Sequence, residues 1–352
     1  MSVIHAQSGG PAAGLLRRRG AGGELTRADR ALRAVGAVAA AVPGALLAFL
    51  LIILVLTAIP AIVFSGLDFF TKSAFSLGNL YATTTVTHNG VAAPPGASYG
   101  GLAFIVGTLA TSLIALALAV PISVGGVLIL TEWFPRRVQN ALSVFLELLA
   151  GIPSVVFGLW GVSIFGPWAA VHVYPTLSHV GAVVPWLKGP VGTGEGLLTA
   201  SLVLTVMIIP IIASTTRELL RRVPILSREG ALALGMTRHE TVKVVTLPYI
   251  RTGIIAAALL GWARALGETI AVLLIIGNAN VLPHTVFSQT GTIAATIAAV
   301  LDSALTDATG MGVHALAELG LFLLILSVIT NLAGRLVVRR VTGGVLPVGR
   351  GI

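Results

Sequence analysis

Residues 229–248 read EGALALGMTRHETVKVVTLP, a polar and basic stretch set between two long apolar segments. Gly235 is suited to the left-handed backbone position that closes a short helix. Thr237 and Glu240 fit a capping box, in which the hydroxyl and the carboxylate satisfy the free N–H groups at the start of the next helix. The stretch therefore predicts a helix, a tight turn and a second helix.

The stretch ends in a proline, Pro248. Proline has no backbone N–H and disfavours helical angles in the residue before it. The second short helix is therefore predicted to end near Thr246.

The composition places the chain in a membrane. Of its 352 residues, 56% are hydrophobic and 10% are charged, which is far too apolar for a soluble domain. The sequence contains no cysteine, so disulfides, thiol catalysis and cysteine metal sites are excluded. The net charge of +9 does not indicate nucleic-acid binding, because the basic residues lie in blocks between the apolar segments. We expect an all-α polytopic membrane protein.

Six apolar segments are long enough to cross a bilayer, which takes about 20 residues. They are residues 34–66, 102–130, 142–165, 197–213, 253–276 and 316–338. The domain organisation that follows is a flexible basic cytoplasmic arm at 1–33, a six-helix transmembrane domain at 34–340 with a cytoplasmic loop at 217–251, and a cytoplasmic tail at 341–352. Residues 292–301 in the last outer loop are compatible with a short re-entrant or interfacial helix.

The distribution of basic residues predicts the orientation. With the amino terminus inside, 19 of the 22 Lys and Arg residues are cytoplasmic, whereas Lys72 and Lys188 lie in outer loops and Arg264 lies within a span. The positive-inside rule then places both termini in the cytoplasm of a multi-pass inner-membrane protein.

The spacing within 229–248 resembles the EAA loop of ABC importer permeases. The positions that match are Glu229, Ala231, Gly235, Leu247 and Pro248, and Gly230 replaces the first alanine of the pattern. In that family the loop docks on a cytoplasmic ATPase and transmits its closure to the membrane helices. The resemblance implies ATPase coupling by these residues, and Gly230 adds backbone freedom to the first coupling helix.

Two charges lie within the fifth apolar segment. Arg264 and Glu268 are four residues apart and are expected on one helix face. A charge at mid-membrane costs at least ~2.5–3.5 kcal/mol, so both need partners or an aqueous face. Arginine can engage oxyanions bidentately, which favours a place in a substrate pathway, whereas a buried ion pair that only fixes helix packing is the alternative. Glu147, expected at membrane depth, is a second candidate partner for Arg264.

The third apolar segment contains Pro153, which is expected to kink it, followed by Ser154, which can bond a freed carbonyl or face the pathway. Glu318 lies nearer the outer end of the sixth segment and is expected at the interface.

Three motifs resemble the phosphate-specific ABC importer permeases, in particular the PstC-type group. They are residues 101–108 (GLAFIVGT), 151–158 (GIPSVVFG) and 264–269 (RALGET). The resemblance covers about residues 35–340 and implies the type I permease fold of ABC importers. It also implies a substrate pathway that includes Arg264, Glu268, Glu147, Ser154 and Thr269.

The resemblance implies partners as well. These are a second, related permease of the PstA type, two cytoplasmic ATPases of the PstB type and an extracytoplasmic phosphate-binding protein of the PstS type. The sequence contains no Gly-x-x-x-x-Gly-Lys-Ser/Thr phosphate loop, so ATP and Mg²⁺ are expected on the partner ATPases, with no cofactor, no metal and no catalytic residue in this chain.

Other functions fit parts of the pattern. Molybdate and sulfate permeases share the coupling loop, so the expectation that phosphate is the substrate depends on the internal motifs. An ion-coupled secondary transporter could use the three intramembrane charges as a relay, but it has no need of a coupling loop. A membrane subunit that senses phosphate without transporting it would use the same docking surface.

Overall fold

The computed structural model describes residues 27–181 and 184–341. The helices are α1 (Arg27–Ser65), α2 (Asp68–Thr71), α3 (Leu102–Trp133), α4 (Arg136–Gly151), α5 (Ser154–Trp160), α6 (Gly166–His172), α7 (Tyr174–Val180), α8 (Leu197–Arg221), α9 (Ile225–Ala233), α10 (Arg238–Thr241), α11 (Leu247–Leu266), α12 (Ile270–Ile275), α13 (Ile293–Leu305) and α14 (Met311–Val341). Turns of π-helix join α5 to α6 and α10 to α11, and a 3₁₀ turn spans Pro185–Leu187.

Six of the described helical runs are long and apolar enough to cross a membrane. They are Leu32–Ser65, Leu102–Trp133, Ser154–His172, Leu197–Arg221, Arg238–Leu266 and Met311–Leu336. The predicted number of spans is confirmed. Most of the predicted arm and the predicted tail beyond residue 341 lie outside the described residues, although residues 27–33 already belong to α1.

The third span differs from the prediction. Residues 142–165 were expected to form one kinked helix, but the backbone is extended at Ile152 and Pro153, with ψ angles of 128° and 139°. Proline restricts the residue before it to extended angles, and here the break is complete. The membrane-spanning helix therefore begins at Ser154, and Glu147 lies on the separate helix α4, exposed and outside the span.

The fifth span also differs from the prediction. Pro248 does not end the second coupling helix at Thr246, because a π-turn over Val242–Thr246 carries the helix onward into α11. There the N–H of Leu247 donates to the carbonyl of Val242, five residues back, and this wider turn gives room to the proline ring. At the other end the helix stops at Leu266, ten residues earlier than expected.

The described residues form two compact units, which divide between Ile53 and Leu54. In the second, one core joins α3, α8, α11 and α12 and includes Ala115, Ala119, Leu204, Ile208 and Ala257. The small side chains of α3 let it approach α8 closely, as is usual between membrane helices. Thr205 Oγ1 of α8 also donates to the carbonyl of Ala115 at 3.4 Å.

The other large core lies under a small extended region between α2 and α3. Strand β1 (Phe75–Ser76) pairs antiparallel with β4 (Ser98–Tyr99), and β2 (Val86–His88) pairs antiparallel with β3 (Val91–Ala93). The aromatic rings of Phe75, Tyr99 and Phe104 pack edge to face beneath them. The short helix predicted near residues 292–301 is present as α13, and the Thr292 hydroxyl caps its first turn.

Candidate functional site

Gly235 closes α9 as predicted. Its φ angle is +88°, in the region that favours glycine. The Gly235 N–H donates to the carbonyl of Leu232 at 3.0 Å, and the Met236 N–H donates to that of Ala231 at 3.2 Å. These two bonds form a Schellman motif, which satisfies carbonyls at the end of the helix.

The predicted capping box starts α10. The Glu240 N–H donates to Thr237 Oγ1 at 3.3 Å, and the Thr237 N–H donates to Glu240 Oε2 at 2.8 Å. Helices α9 and α10 with the turn between them, Ile225–Thr241, are called the α9–α10 hairpin below.

The hairpin has an inner and an outer face. Ala231 is 6% exposed and faces the bundle, whereas Leu226 and Leu234 are 82% and 83% exposed. Glu229 and Gly230 are also exposed, and a Cβ atom at position 230 would meet nothing within 4 Å. The outer face is thus an unusually apolar surface for a polar loop, with a glycine where the family pattern has alanine.

Leu247 and Pro248 complete the predicted coupling set. They lie in the first turn of α11 and are both exposed. The π-turn makes the helix continuous from Arg238 to Leu266, so α10 and the segment that carries Arg264 belong to one helical run.

An acid that sequence reasoning overlooked holds the hairpin. Glu132, in the last turn of α3, forms a salt bridge with Arg228 of α9, and its backbone carbonyl accepts a hydrogen bond from Arg238 Nη1 of α10 at 3.2 Å. The acid at the end of an apolar run, just before Pro135, is visible in the sequence. Its partners, 96 and 106 residues away, are not.

Arg264 and Glu268 do not share a helix face as predicted. Arg264 lies in the last turn of α11, whereas Glu268 follows the helix end at Leu266. Among residues 27–181 and 184–341, Arg264 forms no salt bridge, so neither Glu268 nor Glu147 is its ion-pair partner. Arg264 and Glu268 still come together, since both line one open depression of about 460 Å³ beside Ile211 of α8.

A second cavity adjoins Arg264 from the side of the other helix break. Its volume is about 130 Å³, well above the ~10–15 Å³ that one water needs. The residues that line it are Leu149, Ala150, Ile152, Phe157, Met207, Ile211 and Arg264. Arg264 therefore lies where the end of α4, the start of α5, α8 and the end of α11 converge.

The remaining predicted pathway residues lie near this region without lining either cavity. Ser154 is the first residue of α5, and Thr269 lies in the break between α11 and α12, with its hydroxyl donating to the carbonyl of Gly267 at 3.2 Å. Glu147 is exposed on α4. Of the described residues that line the two cavities, none is Glu147, Ser154 or Thr269.

Glu318, expected at the membrane interface, is 6% exposed within the protein on α14. Ser65 Oγ, of the last residue of α1, donates to its carboxyl at 3.3 Å. Within the described parts of the chain, no group of three or more His, Cys, Asp and Glu side chains has the arrangement of a metal site.

The chain is similar in sequence to phosphate transport permeases of several bacteria. The chain is 52% identical over 299 residues to the phosphate transport system permease protein PstC 1 of Mycobacterium tuberculosis, with 84% of this chain and 88% of that protein covered. It is 39% identical over 284 residues to the PstC permease of Pasteurella multocida, with 80% and 85% covered.

A solved structure of the inward-facing MetNI methionine ABC transporter matches with a TM-score of 0.48 and 20% identity, over 68% of this chain and 94% of that chain. The model of the family described as the binding-protein-dependent transport system inner membrane component matches residues 122–343. The chain belongs to this family of inner-membrane transport components.

Proposed function

We propose that this chain is the permease subunit of an ATP-driven importer of inorganic phosphate. The observation that carries the proposal is the 52% identity, over 84% of the chain, to a phosphate transport system permease. The proposal includes a cytoplasmic location for both termini and for the α9–α10 hairpin, in agreement with the basic residues concentrated there.

The hairpin is the element on which the partner ATPase acts. Its outer face carries Leu226, Glu229, Gly230 and Leu234, all exposed. An exposed apolar patch with a polar surround is typical of a protein interface. ATP and Mg²⁺ bind to two ATPase subunits, and a second permease and an extracytoplasmic phosphate-binding protein complete the complex. This chain has no catalytic role of its own.

Phosphate passes Arg264. The guanidinium is exposed between the open depression and the smaller cavity, and its planar fork matches phosphate oxygens. Glu268 lines the same depression and lowers its net positive charge, which prevents the anion from being trapped. The two helix breaks beside Arg264 are the kind of interruption found at substrate sites in membrane transporters.

Alternating access follows from the mechanical connection. ATP-driven closure of the ATPases moves the hairpin, and the continuous run from Arg238 to Leu266 carries the motion to Arg264. Opening the site to one side at a time requires the helices around Arg264 to change their packing, and the cavities on both sides of it leave room for that.

The test is phosphate uptake by proteoliposomes that contain the whole complex. Arg264→Gln is expected to abolish uptake while the subunits still co-purify, whereas Arg251→Gln, an exposed arginine on the same helix, is the matched control and retains uptake. Normal phosphate flux through Arg264→Gln removes this residue from the pathway.

The same vesicles test the substrate and the energy source. Excess sulfate or molybdate is expected not to compete with phosphate, and omission of the ATPase subunits is expected to stop uptake. Preferred uptake of another oxyanion would reassign the substrate, and uptake without the ATPases would indicate an ion-coupled transporter.

A further inference from the structure

The α9–α10 hairpin is joined to the membrane helices through the chain at two places. Residues 222–224 connect α9 to α8, and the π-turn connects α10 to α11. These connections hold only the two ends of the hairpin. A third attachment, from a helix that is not its neighbour in the chain, further restricts its movement relative to the membrane helices.

Glu132 supplies the third attachment, from α3. Its side chain is 7% exposed and forms the salt bridge with Arg228, whose side chain is 30% exposed. The other two salt bridges among the described residues, Lys72–Asp68 and Arg222–Glu218, join exposed side chains that are only four residues apart, at the ends of α2 and α8. The Glu132 pair is thus the buried one, and it joins segments distant in the sequence.

One residue holds both arms of the hairpin. Arg228 lies before the Gly235 turn and binds the Glu132 carboxylate, whereas Arg238 lies after the turn and donates to the Glu132 carbonyl at 3.2 Å. That carbonyl is in the last turn of α3, where carbonyls have no partner within the helix. Both arms are therefore fixed at the same point.

The local helix gives no reason for an acid at this place. A carboxylate in the last turn of a helix is disfavoured by the negative end of the helix dipole, and a buried charge needs a partner. Arg228 and Arg238 together supply the compensating positive charge. The arrangement is explained by its contact with the hairpin.

The attached helix also contacts the candidate pathway helix. Ser112 of α3 accepts a hydrogen bond from Trp262 Nε1 of α11 at 3.1 Å, two residues before Arg264. The hairpin is therefore connected to the region of Arg264 through α3 as well as through α11.

We propose that Glu132 is a positioning residue for energy coupling: it holds both arms of the α9–α10 hairpin to α3, so that movement of a docked ATPase becomes movement of the membrane helices. This inference rests on the proposed function.

The test compares Glu132→Gln, Arg228→Gln and the double variant in the complete complex, reconstituted in proteoliposomes. The measured quantity is phosphate taken up per ATP hydrolysed. We expect each single variant to lower this ratio by about tenfold, within the usual range for coupling between sites, while the ATPases still co-purify. The double variant is expected to match the single ones, because they break the same contact. Arg228→Lys, which keeps the charge but not the planar fork, is expected to give an intermediate ratio.

Glu218→Gln is the matched control. It breaks the exposed pair between Glu218 of α8 and Arg222, the residue that follows this helix, and is expected to leave the ratio unchanged. If the complex with Glu132→Gln fails to assemble, Arg228→Gln tests the proposal instead. Arg228 lies on the hairpin and outside the membrane spans, so its substitution is expected to disturb assembly less. An unchanged ratio in assembled Arg228→Gln overturns the proposal.

Hydrogen exchange separates this inference from the proposed function. In the intact complex, Arg228→Gln is expected to speed amide exchange in α9 and α10 whatever the transported solute is. If the wild-type complex imports phosphate but neither the ratio nor the exchange changes in the variants, the inference fails and the function stands. If exchange accelerates in a complex that carries no phosphate, the function fails and the attachment stands.

Discussion

Gly158 on α5 lies directly against Ala271 on α12. A Cβ atom at position 158 would stand 3.0 Å from the Ala271 Cα atom and 2.8 Å from Leu274 Cδ1. Each of these helices follows a break, α5 after Ile152–Pro153 and α12 after residues 267–269. Contact at a glycine lets the two interrupted helices pack backbone to backbone, as small residues do between membrane helices.

Gly158→Val is expected to separate these two helices. There is no space for the added atoms, and overpacking of this kind costs about 1–3 kcal/mol. We expect a lower melting temperature of the detergent-solubilised complex and a loss of phosphate uptake. Gly126→Ala on α3, where a Cβ atom would meet nothing within 4 Å, is the control and is expected to melt no lower than the wild type. Equal melting of the two variants would contradict the close packing.

Gly235→Val is expected to loosen the end of α9. The φ angle of +88° is strongly disfavoured for a β-branched residue, at a cost of about 1–2 kcal/mol. Hydrogen exchange should accelerate at the amides of residues 235 and 236, which form the Schellman bonds in the wild type. Gly230→Ala is expected to act in the opposite direction and slow exchange in α9, because alanine is the better helix former by about 0.5–1 kcal/mol. Unchanged exchange in the first variant would show that the turn does not depend on glycine.

Local patterns predicted the local structure well, and the reason is that they act over a few residues. The Gly235 turn and the Thr237–Glu240 capping box depend on neighbours within five positions, and both are present. The six apolar runs are likewise visible because each has to cross the bilayer by itself.

The predictions from local patterns were wrong at two prolines. Pro153 was expected to kink a helix and instead ends one, whereas Pro248 was expected to end a helix and instead lies in a continuous run. The outcome depends on whether the preceding turn can widen, as the π-turn before Pro248 does. Tertiary packing decides this, and no local pattern records it.

Contacts between distant segments were also beyond a single sequence. The expected pairing of Arg264 with an acid four residues away assumed an uninterrupted helix, which ends at Leu266. The acid that does form a buried salt bridge, Glu132, lies 96 residues from Arg228. Such pairs require the arrangement of the helices to be known.

Thr237→Ala is expected to weaken the start of α10. The variant removes the acceptor of the Glu240 N–H, and loss of a threonine cap costs about 1 kcal/mol. Exchange should accelerate in α10 and leave α8 unchanged. Thr237→Ser keeps the hydroxyl and is expected to retain wild-type exchange. If alanine and serine behave alike, the cap does not stabilise the hairpin.

Trp262 and Ser112 are expected to be energetically coupled, because Trp262 Nε1 donates to Ser112 Oγ at 3.1 Å between α11 and α3. Hydrogen bonds between membrane helices contribute about 0.6 kcal/mol on average in double-mutant cycles. Trp262→Phe and Ser112→Ala should therefore destabilise the protein by less together than the sum of their separate effects. Ser214 provides the comparison, since its hydroxyl donates to Ile211 within its own helix. Trp262→Phe and Ser214→Ala should be additive, and additivity of the first pair as well would mean that this hydrogen bond does not hold α11 to α3.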